Sequence, residues 1–413
     1  MTDKLLKHGS MIFSAYVISF VFAYFFHAYM ARALGPENYG ILGSMLSLFY
    51  IFSVPSVVIT TILTQIISEQ KGKEDYGKIK SILLISTKKL AYIGLAIFLM
   101  LIFLSPILKN ILNLPSEIPV IVLGFSLIFI TILPSPRGAL QGIQDFKSLG
   151  FNIAIETPAL LFFGAVFVFL GMGVNGAILA YGVESFVIMI LAFIPLKSIL
   201  EKESDTVNLS IYKYAYPIFI LILCITIMSS IDILFVRRYF PSEVSGYFTA
   251  MKMLAGVIYF ISIALGGVLL PKVSELHVLN KEHSFLLSKT LTYFGIFLAL
   301  VLSAYAFAPD IIITLLFGKG YSSISQYLAG YAFAIGLLSV AIIFMFYDVS
   351  VKRTVFMTPL IIFTFIDISL LLLYHKTIEQ IIMVQTVTFL MLLVTVILIN
   401  RRLSAKHQLN LNA

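Results

Sequence analysis

Charge is scarce in this chain, and so are cysteine and the side-chain clusters that most chemistry needs. Only 12% of its 413 residues are Asp, Glu, Lys or Arg, against about 25% in a soluble globular protein. So few charges cannot coat a water-facing surface of this size. The one cysteine, Cys224, lies inside an apolar run, which excludes an intramolecular disulfide. The six histidines are scattered, with no His-Glu-x-x-His and no Cys/His cluster, so no metal and no cofactor is expected. A Gly-x-x-x-x-Gly-Lys-Ser/Thr loop is missing too, which removes that route to ATP. Met1 to Ser10 is short and polar and leads into a span-length apolar run, unlike a cleaved secretory signal. An enzyme acting on lipid-linked sugars at the outer face would need converging titratable groups. The expected outer loops are too short to offer them.

What fills the chain is apolar sequence, 60% hydrophobic with a mean hydropathy of +1.02. Runs near 20 residues recur, each long enough to cross about 30 Å of hydrocarbon. They fall at 10–31, 41–67, 85–105, 118–138, 150–170, 175–197, 213–236, 246–270, 287–307, 324–347, 354–374 and 378–400. Each is expected to be a helix, because a helix satisfies its own backbone groups in lipid. The expected fold is therefore all-α and integral to the membrane, with about 12 transmembrane helices. The third run is the softest, because Lys88 and Lys89 fall near its start, on an amphipathic lead-in from Tyr76.

One stretch is used twice. Arg32 to Gly40 is a turn that opens an apolar run closing on Ser68-Glu69. Arg237 to Gly246 opens another that closes on Ser274-Glu275. Gly40 and Gly246, Ser68 and Ser274, and Glu69 and Glu275 are each 206 residues apart, which is the mark of an internal duplication. Six spans per half give both halves the same orientation. Parallel repeats of this kind are expected to pack around a central cavity that holds the substrate site. The expected divisions are an N-terminal lobe at 1–200, a cytoplasmic linker at 201–212 and a C-terminal lobe at 213–413. The linker is polar and contains Asn208-Leu209-Ser210, a glycosylation pattern discounted because the segment is expected inside.

The basic residues set the expected orientation. With the N-terminus cytoplasmic, 21 Lys and Arg fall on the inner side and six on the outer, with only Lys252 inside a span. That excess places both termini in the cytoplasm. The net charge of +8 then reads as topology and contact with anionic membrane lipid, with no nucleic-acid partner.

Ionisable residues inside spans are costly and so point to function. Glu156 lies nine residues past Lys147, about 14 Å along a helix and near the midplane. Glu184 is at similar depth, and Asp367 is deep in the eleventh span. Asp232 and Lys252 flank one short outer turn at matching depth, so they are expected either to face a substrate or to pair with each other. Glu156 precedes Thr157-Pro158, so it also fits a protonated cap at a kink. Glu184 and Asp367 equally suit polar glue between helices. Tyr16, Phe20, Tyr24 and His27 share one face of the first span, as an aromatic wall for sugar rings or as ordinary packing. His27, near the outer end of that span, fits a tip reaching the interface or a ligand.

Several of these stretches resemble the polysaccharide transporters, or oligosaccharide flippases, of the multidrug/oligosaccharidyl-lipid/polysaccharide exporter superfamily. They are Ala31 to Gly40, Leu140-Gln141-Gly142-Ile143-Gln144-Asp145-Phe146-Lys147, Gly171 to Ala177, Ser245 to Lys252, Leu270 to Glu275 and Leu315-Leu316-Phe317-Gly318. The resemblance implies two six-helix lobes around a central cavity that work by alternating access. It implies a polyprenyl (pyro)phosphate-linked oligosaccharide as cargo, and it carries over Arg32, Asp232 and Lys252 as site positions. Many members have fourteen helices, and this chain stops near twelve, which puts in question any tail groove built by the extra pair.

The expected function is a flippase of the cytoplasmic membrane for a lipid-linked oligosaccharide, not an enzyme. A cation in a low-dielectric cavity attracts its phosphate. Lys252 is the first candidate, with Arg32 or Arg137 near the mouths, Tyr24 toward sugar, and Glu156 and Glu184 binding sugar hydroxyls or a coupling proton. The coupling ion is expected to be H+ or Na+. The alternative is a cation-coupled multidrug exporter, for which Glu156, Glu184, Asp232 and Asp367 supply an acidic surface.

Overall fold

The computed structural model describes residues 2–205, 216–279 and 281–411, with side chains from 11 to 402. Residues 206–212 of the expected linker, including the Asn208 pattern, lie outside the described residues. Among the described residues there is no strand. Contacts divide the chain into two units, Met1–Ala215 and Tyr216–Ala413.

In the first unit α1 runs over Thr2–Gly72, α2 over Tyr76–Ile111, α3 over Ile118–Ile132, α4 over Pro134–Gly142, α5 over Phe146–Phe167, α6 over Gly173–Phe193 and the single turn α7 over Lys197–Leu200. In the second, α8 covers Tyr216–Tyr239, α9 Ser242–Val278, α10 Ser284–Phe307, α11 Pro309–Phe317, α12 Ser325–Ser350, α13 Met357–Leu373 and α14 Ile378–Leu411. Among the described residues nine helices are long and apolar enough to cross a membrane, and α13 is apolar but shorter. Two of the nine are bent runs, Met11–Gly72 and Phe146–Leu200, and each holds two of the expected spans. Large apolar side chains such as Phe103 (79% exposed), Phe169 (86%) and Phe307 (90%) stand outward. Water would not tolerate that much exposed aromatic surface, so these faces meet lipid. The protein is a multi-pass membrane protein.

The bend in α1 is set by one glycine. Gly35 takes φ 71, ψ 169, a conformation open in practice only to glycine. Pro36 follows and restarts the helix, since proline is preorganised for a first turn. Gly35→Ala is expected to cost about 1–3 kcal/mol, seen as a lower unfolding midpoint in detergent. Gly171 (φ 85) and Gly173 (φ 56) make the equivalent break between α5 and α6. The duplication is visible in the helix ends. Gly35 and Pro241, which caps α9, are 206 residues apart, as are Gly72 and Val278, the last residues of α1 and α9. Lys88 lies over the Tyr92 ring in α2, and Lys289 over Tyr293 in α10, at 6.0 and 5.7 Å. Each lysine keeps its charge at the interface while its stem and partner ring stay in the apolar layer.

Two expected outer loops are mostly helix. In 105–119, α2 continues to Ile111 despite Pro106, because one lost backbone bond bends a helix without always ending it. In 308–323, Pro309 opens α11 and a 3-10 turn follows from Lys319. The loop after α1 is anchored by Asp75, which caps α2 by accepting from the Lys78 backbone N–H and pairs with the Lys78 ammonium at 2.6 Å. Those hydrogen bonds hold the half-buried Asp75 carboxyl below the usual carboxylate range.

Candidate functional site

Each unit holds a partly buried ionic centre. In the first, a cluster of Leu63, Ile67, Ile82, Leu83, Ala139, Leu140, Leu149 and Ile153 packs α1, α2, α4 and α5 together. The seam between α4 and α1 is unusually close. A Cβ at Gly138 or Gly142 would lie 2.8 Å from Leu63 or Ile67, so these glycines, four residues apart, let the two helices touch. That seam fixes the height of Arg137, one residue before Gly138. The height of α5 is set by Asp145, which caps it through the Ser148 N–H.

Arg137 therefore reaches across to α5. Its Nε donates to Asn152 Oδ1 at 2.8 Å, and its two terminal nitrogens donate to the Glu156 carboxylate at 3.3 and 3.0 Å. The two-pronged pairing matches the planar guanidinium to the planar carboxylate. Asn152 Nδ2 in turn donates to the Ile188 carbonyl of α6 at 2.8 Å. Glu184 of α6 is buried and within electrostatic reach of both Arg137 and Glu156. One of its oxygens accepts from Ser185 Oγ and the other has no hydrogen-bond partner. One cation thus serves two carboxylates.

In the second unit Asp232 of α8 is fully buried. Its Oδ1 accepts from the Lys252 ammonium of α9 at 2.5 Å and its Oδ2 from the Tyr331 hydroxyl of α12 at 2.5 Å. Lys252 also donates to the Ser229 carbonyl. Asp232 and Lys252 pair as their matching depth around the outer turn implies. Asp367 of α13 is a different case. It is fully buried, Asp232 and Thr388 are its electrostatic neighbours, and neither of its oxygens has a hydrogen-bond partner. The Thr388 hydroxyl and both ends of the Gln385 amide, one turn apart on α14, are also buried without partners. Unsatisfied polar atoms cost about 1–3 kcal/mol each, so the five on Asp367, Gln385 and Thr388 mark a polar patch within the apolar interior of this unit. Among the described residues no three His, Cys, Asp or Glu side chains are grouped to hold a metal.

The sequence profile of the polysaccharide biosynthesis protein family matches residues 5–277. The chain belongs to this family. No curated protein sequence matches it. Solved structures share the fold at low identity. An inward-facing multidrug resistance MATE transporter of the MOP superfamily aligns at TM-score 0.77 and 13% identity, over 93% of this chain and 95% of that one. The lipid II flippase MurJ, inward closed, aligns at 0.73 and 14%, over 94% and 87%. A MOP superfamily transporter from Pyrococcus furiosus, described by the reverse polarity of its binding pocket, aligns at 0.63 and 14%, over 96% and 94%. The all-helical, MATE-like fold is thereby shown for this polysaccharide biosynthesis family member.

The structure brings together Arg137 with Glu156 and Glu184, and Lys252 with Asp232. Arg32 is exposed beside the Gly35 break, Tyr24 is half-buried, and Tyr16 and Phe20 are exposed. His27 is not an interfacial tip. It is buried, with Nδ1 3.0 Å from the Tyr39 hydroxyl across the α1 bend, because Gly35 folds the second half of the helix back toward the first. Asn152, Tyr331, Gln385 and Thr388 were missed by the sequence reading. An Asn four residues before Glu156 on one helix face was a usable signal. Gln385 and Thr388, three apart inside a span, were another.

Proposed function

We propose that this family member is a flippase that carries a polyprenyl (pyro)phosphate-linked oligosaccharide across the cytoplasmic membrane by alternating access, from the inner to the outer leaflet, with both termini in the cytoplasm. The observation that carries the reading is the family match over residues 5–277, joined to a fold shared with a protein named as a lipid II flippase. The charges fit. Each unit pairs a cation with a carboxylate between its helices, Arg137 with Glu156 and Lys252 with Asp232, and both cationic side chains are near one-fifth exposed. A phosphate entering a water-poor site gains strongly from either cation, by displacing or joining its carboxylate partner. Glu156, Tyr24 and Arg32 would contact the sugars or the site's mouth.

The unpartnered oxygens of Asp367, with Gln385 and Thr388, support a site for the coupling ion, a proton or sodium. Glu184 offers a second group able to take a proton. Asp367→Asn is expected to abolish stimulation by an ion gradient while leaving slow downhill transfer. The reading as a whole is tested in proteoliposomes, with a polyprenyl-pyrophosphate oligosaccharide in one leaflet and its accessibility followed from the other. Transfer by the wild type, stimulated by a proton or sodium gradient, is expected. No transfer under either gradient would overturn the reading.

A cation-coupled multidrug exporter is the second reading. The buried carboxylates Glu184 and Asp367 favour it, as does the MATE alignment. Within this fold the sign of the binding surface differs between relatives, as the Pyrococcus transporter's description states. Cargo charge therefore separates the two readings.

A further inference from the structure

The stretch of α1 from Thr61 to Glu69 has two faces. Leu63 and Ile67 are buried against Gly138 and Gly142 of α4. Thr61, Gln65, Ser68 and Glu69 are exposed on the other side, at spacings that put them on one helical face. Together with Thr64 they line a shallow groove that is open to the surroundings. Thr64 Oγ1 donates to Gln141 Oε1 at 3.3 Å, which ties the exposed Gln141 of α4 to the same surface. Arg137 lies one turn from Gln141 on α4, so the polar face leads toward the Arg137–Glu156 pair.

Helix packing does not call for these polar groups. At the matching positions of the second repeat, 206 residues on, Thr61, Thr64 and Gln65 are replaced by Gly267, Leu270 and Pro271, and α9 is helical there all the same. Ser68 and Glu69 recur as Ser274 and Glu275, so the Thr61, Thr64 and Gln65 part of the face is what the first repeat adds.

We propose that this face, Thr61, Gln65, Ser68 and Glu69 of α1 with Gln141 of α4, binds the glycan of the cargo through its hydroxyl groups and selects uncharged or amino sugars over acidic ones. The proposal rests on the flippase reading and deepens it. Hydroxyls and amides each donate and accept, and a carboxylate accepts only. That mixture matches the vicinal hydroxyl pairs of a sugar ring, which do both. The set contains no cation. The nearest in sequence, Lys71, donates to the Ile143 carbonyl. A sugar carboxylate would meet Glu69, a like charge, on this face. A sugar amine would gain from it.

The test uses three lipids in proteoliposomes: polyprenyl pyrophosphate bearing a neutral N-acetylhexosamine disaccharide, the same lipid bearing a galacturonate disaccharide, and polyprenyl phosphate without sugar. The Thr61→Val/Gln65→Leu variant changes only exposed groups, and its melting point in detergent is expected to equal that of the wild type. It should raise the half-saturating concentration for the neutral glycolipid at least tenfold and leave the sugar-free lipid unchanged. The wild type should prefer the neutral over the galacturonate lipid at least tenfold, and Glu69→Gln should narrow that preference severalfold. Equal losses on all three lipids, no change on any, or a wild type that favours galacturonate would overturn the assignment while leaving the flippase reading in place. A wild type that moves none of the three would instead overturn the flippase reading and the assignment with it.

Discussion

Lys252→Ala is expected to destabilise the second unit more than any other single substitution there. Asp232 is fully buried and accepts from only three donors: the Lys252 ammonium, the Tyr331 hydroxyl and the Ile233 backbone N–H. Removing the ammonium leaves a carboxylate charge in a low-dielectric interior with two neutral donors. Breaking a buried pair from one side costs about 3–5 kcal/mol. The variant should melt well below wild type in detergent. The double substitution Lys252→Met/Asp232→Asn removes both charges, so it should recover most of the lost stability. It should not recover transport, because the cation proposed to meet the phosphate is gone. If Lys252→Ala melted with the wild type, the pair would not be holding α8 to α9.

Arg137→Ala is expected to have an effect of the same size in the first unit, with a sharper asymmetry. The guanidinium donates twice to Glu156 and twice to Asn152, to its side-chain and backbone oxygens, and it is the cation facing Glu184. Its loss strands two carboxylates together, so about 3–5 kcal/mol is again expected and transport should fall below detection. Glu156→Gln is the informative contrast. Its amide oxygen still accepts from Arg137, and Glu184 remains to balance the charge, so about 1–2 kcal/mol is expected. Thermal melts of the two variants compare the cases directly. Equal destabilisation would mean that Arg137 serves Glu156 alone and that Glu184 lies outside the network.

The apolar runs were legible because each long helix faces lipid on at least one side, so hydropathy marks it without any partner. The repeat was legible for a related reason. Turns at Gly35 and Pro241 and helix ends at Gly72 and Val278 are local features that survive duplication. The Asp232–Lys252 pair could be read because both residues flank one short turn at equal depth. Arg137 and Glu156 could not be paired that way. Their register depends on how closely α4 sits on α1 through Gly138 and Gly142, and on where Asp145 restarts the helix. His27 was misplaced because depth along a helix says nothing about which way a bent helix turns its side chains. The regions 105–119 and 308–323 lie between expected spans and are largely helical, since Pro106 bends a helix without ending it and Pro309 starts one.

The proposed cargo is an anionic, phosphate-bearing glycolipid and not a cationic drug. The most direct measurement places both cargoes before the same reconstituted protein: a polyprenyl-pyrophosphate oligosaccharide and a cationic dye, each followed across the bilayer with an imposed ion gradient. Glycolipid transfer that Lys252→Met/Asp232→Asn abolishes is expected, with no dye export above that of empty vesicles. Dye export without glycolipid transfer would contradict it and assign the chain to the drug exporters.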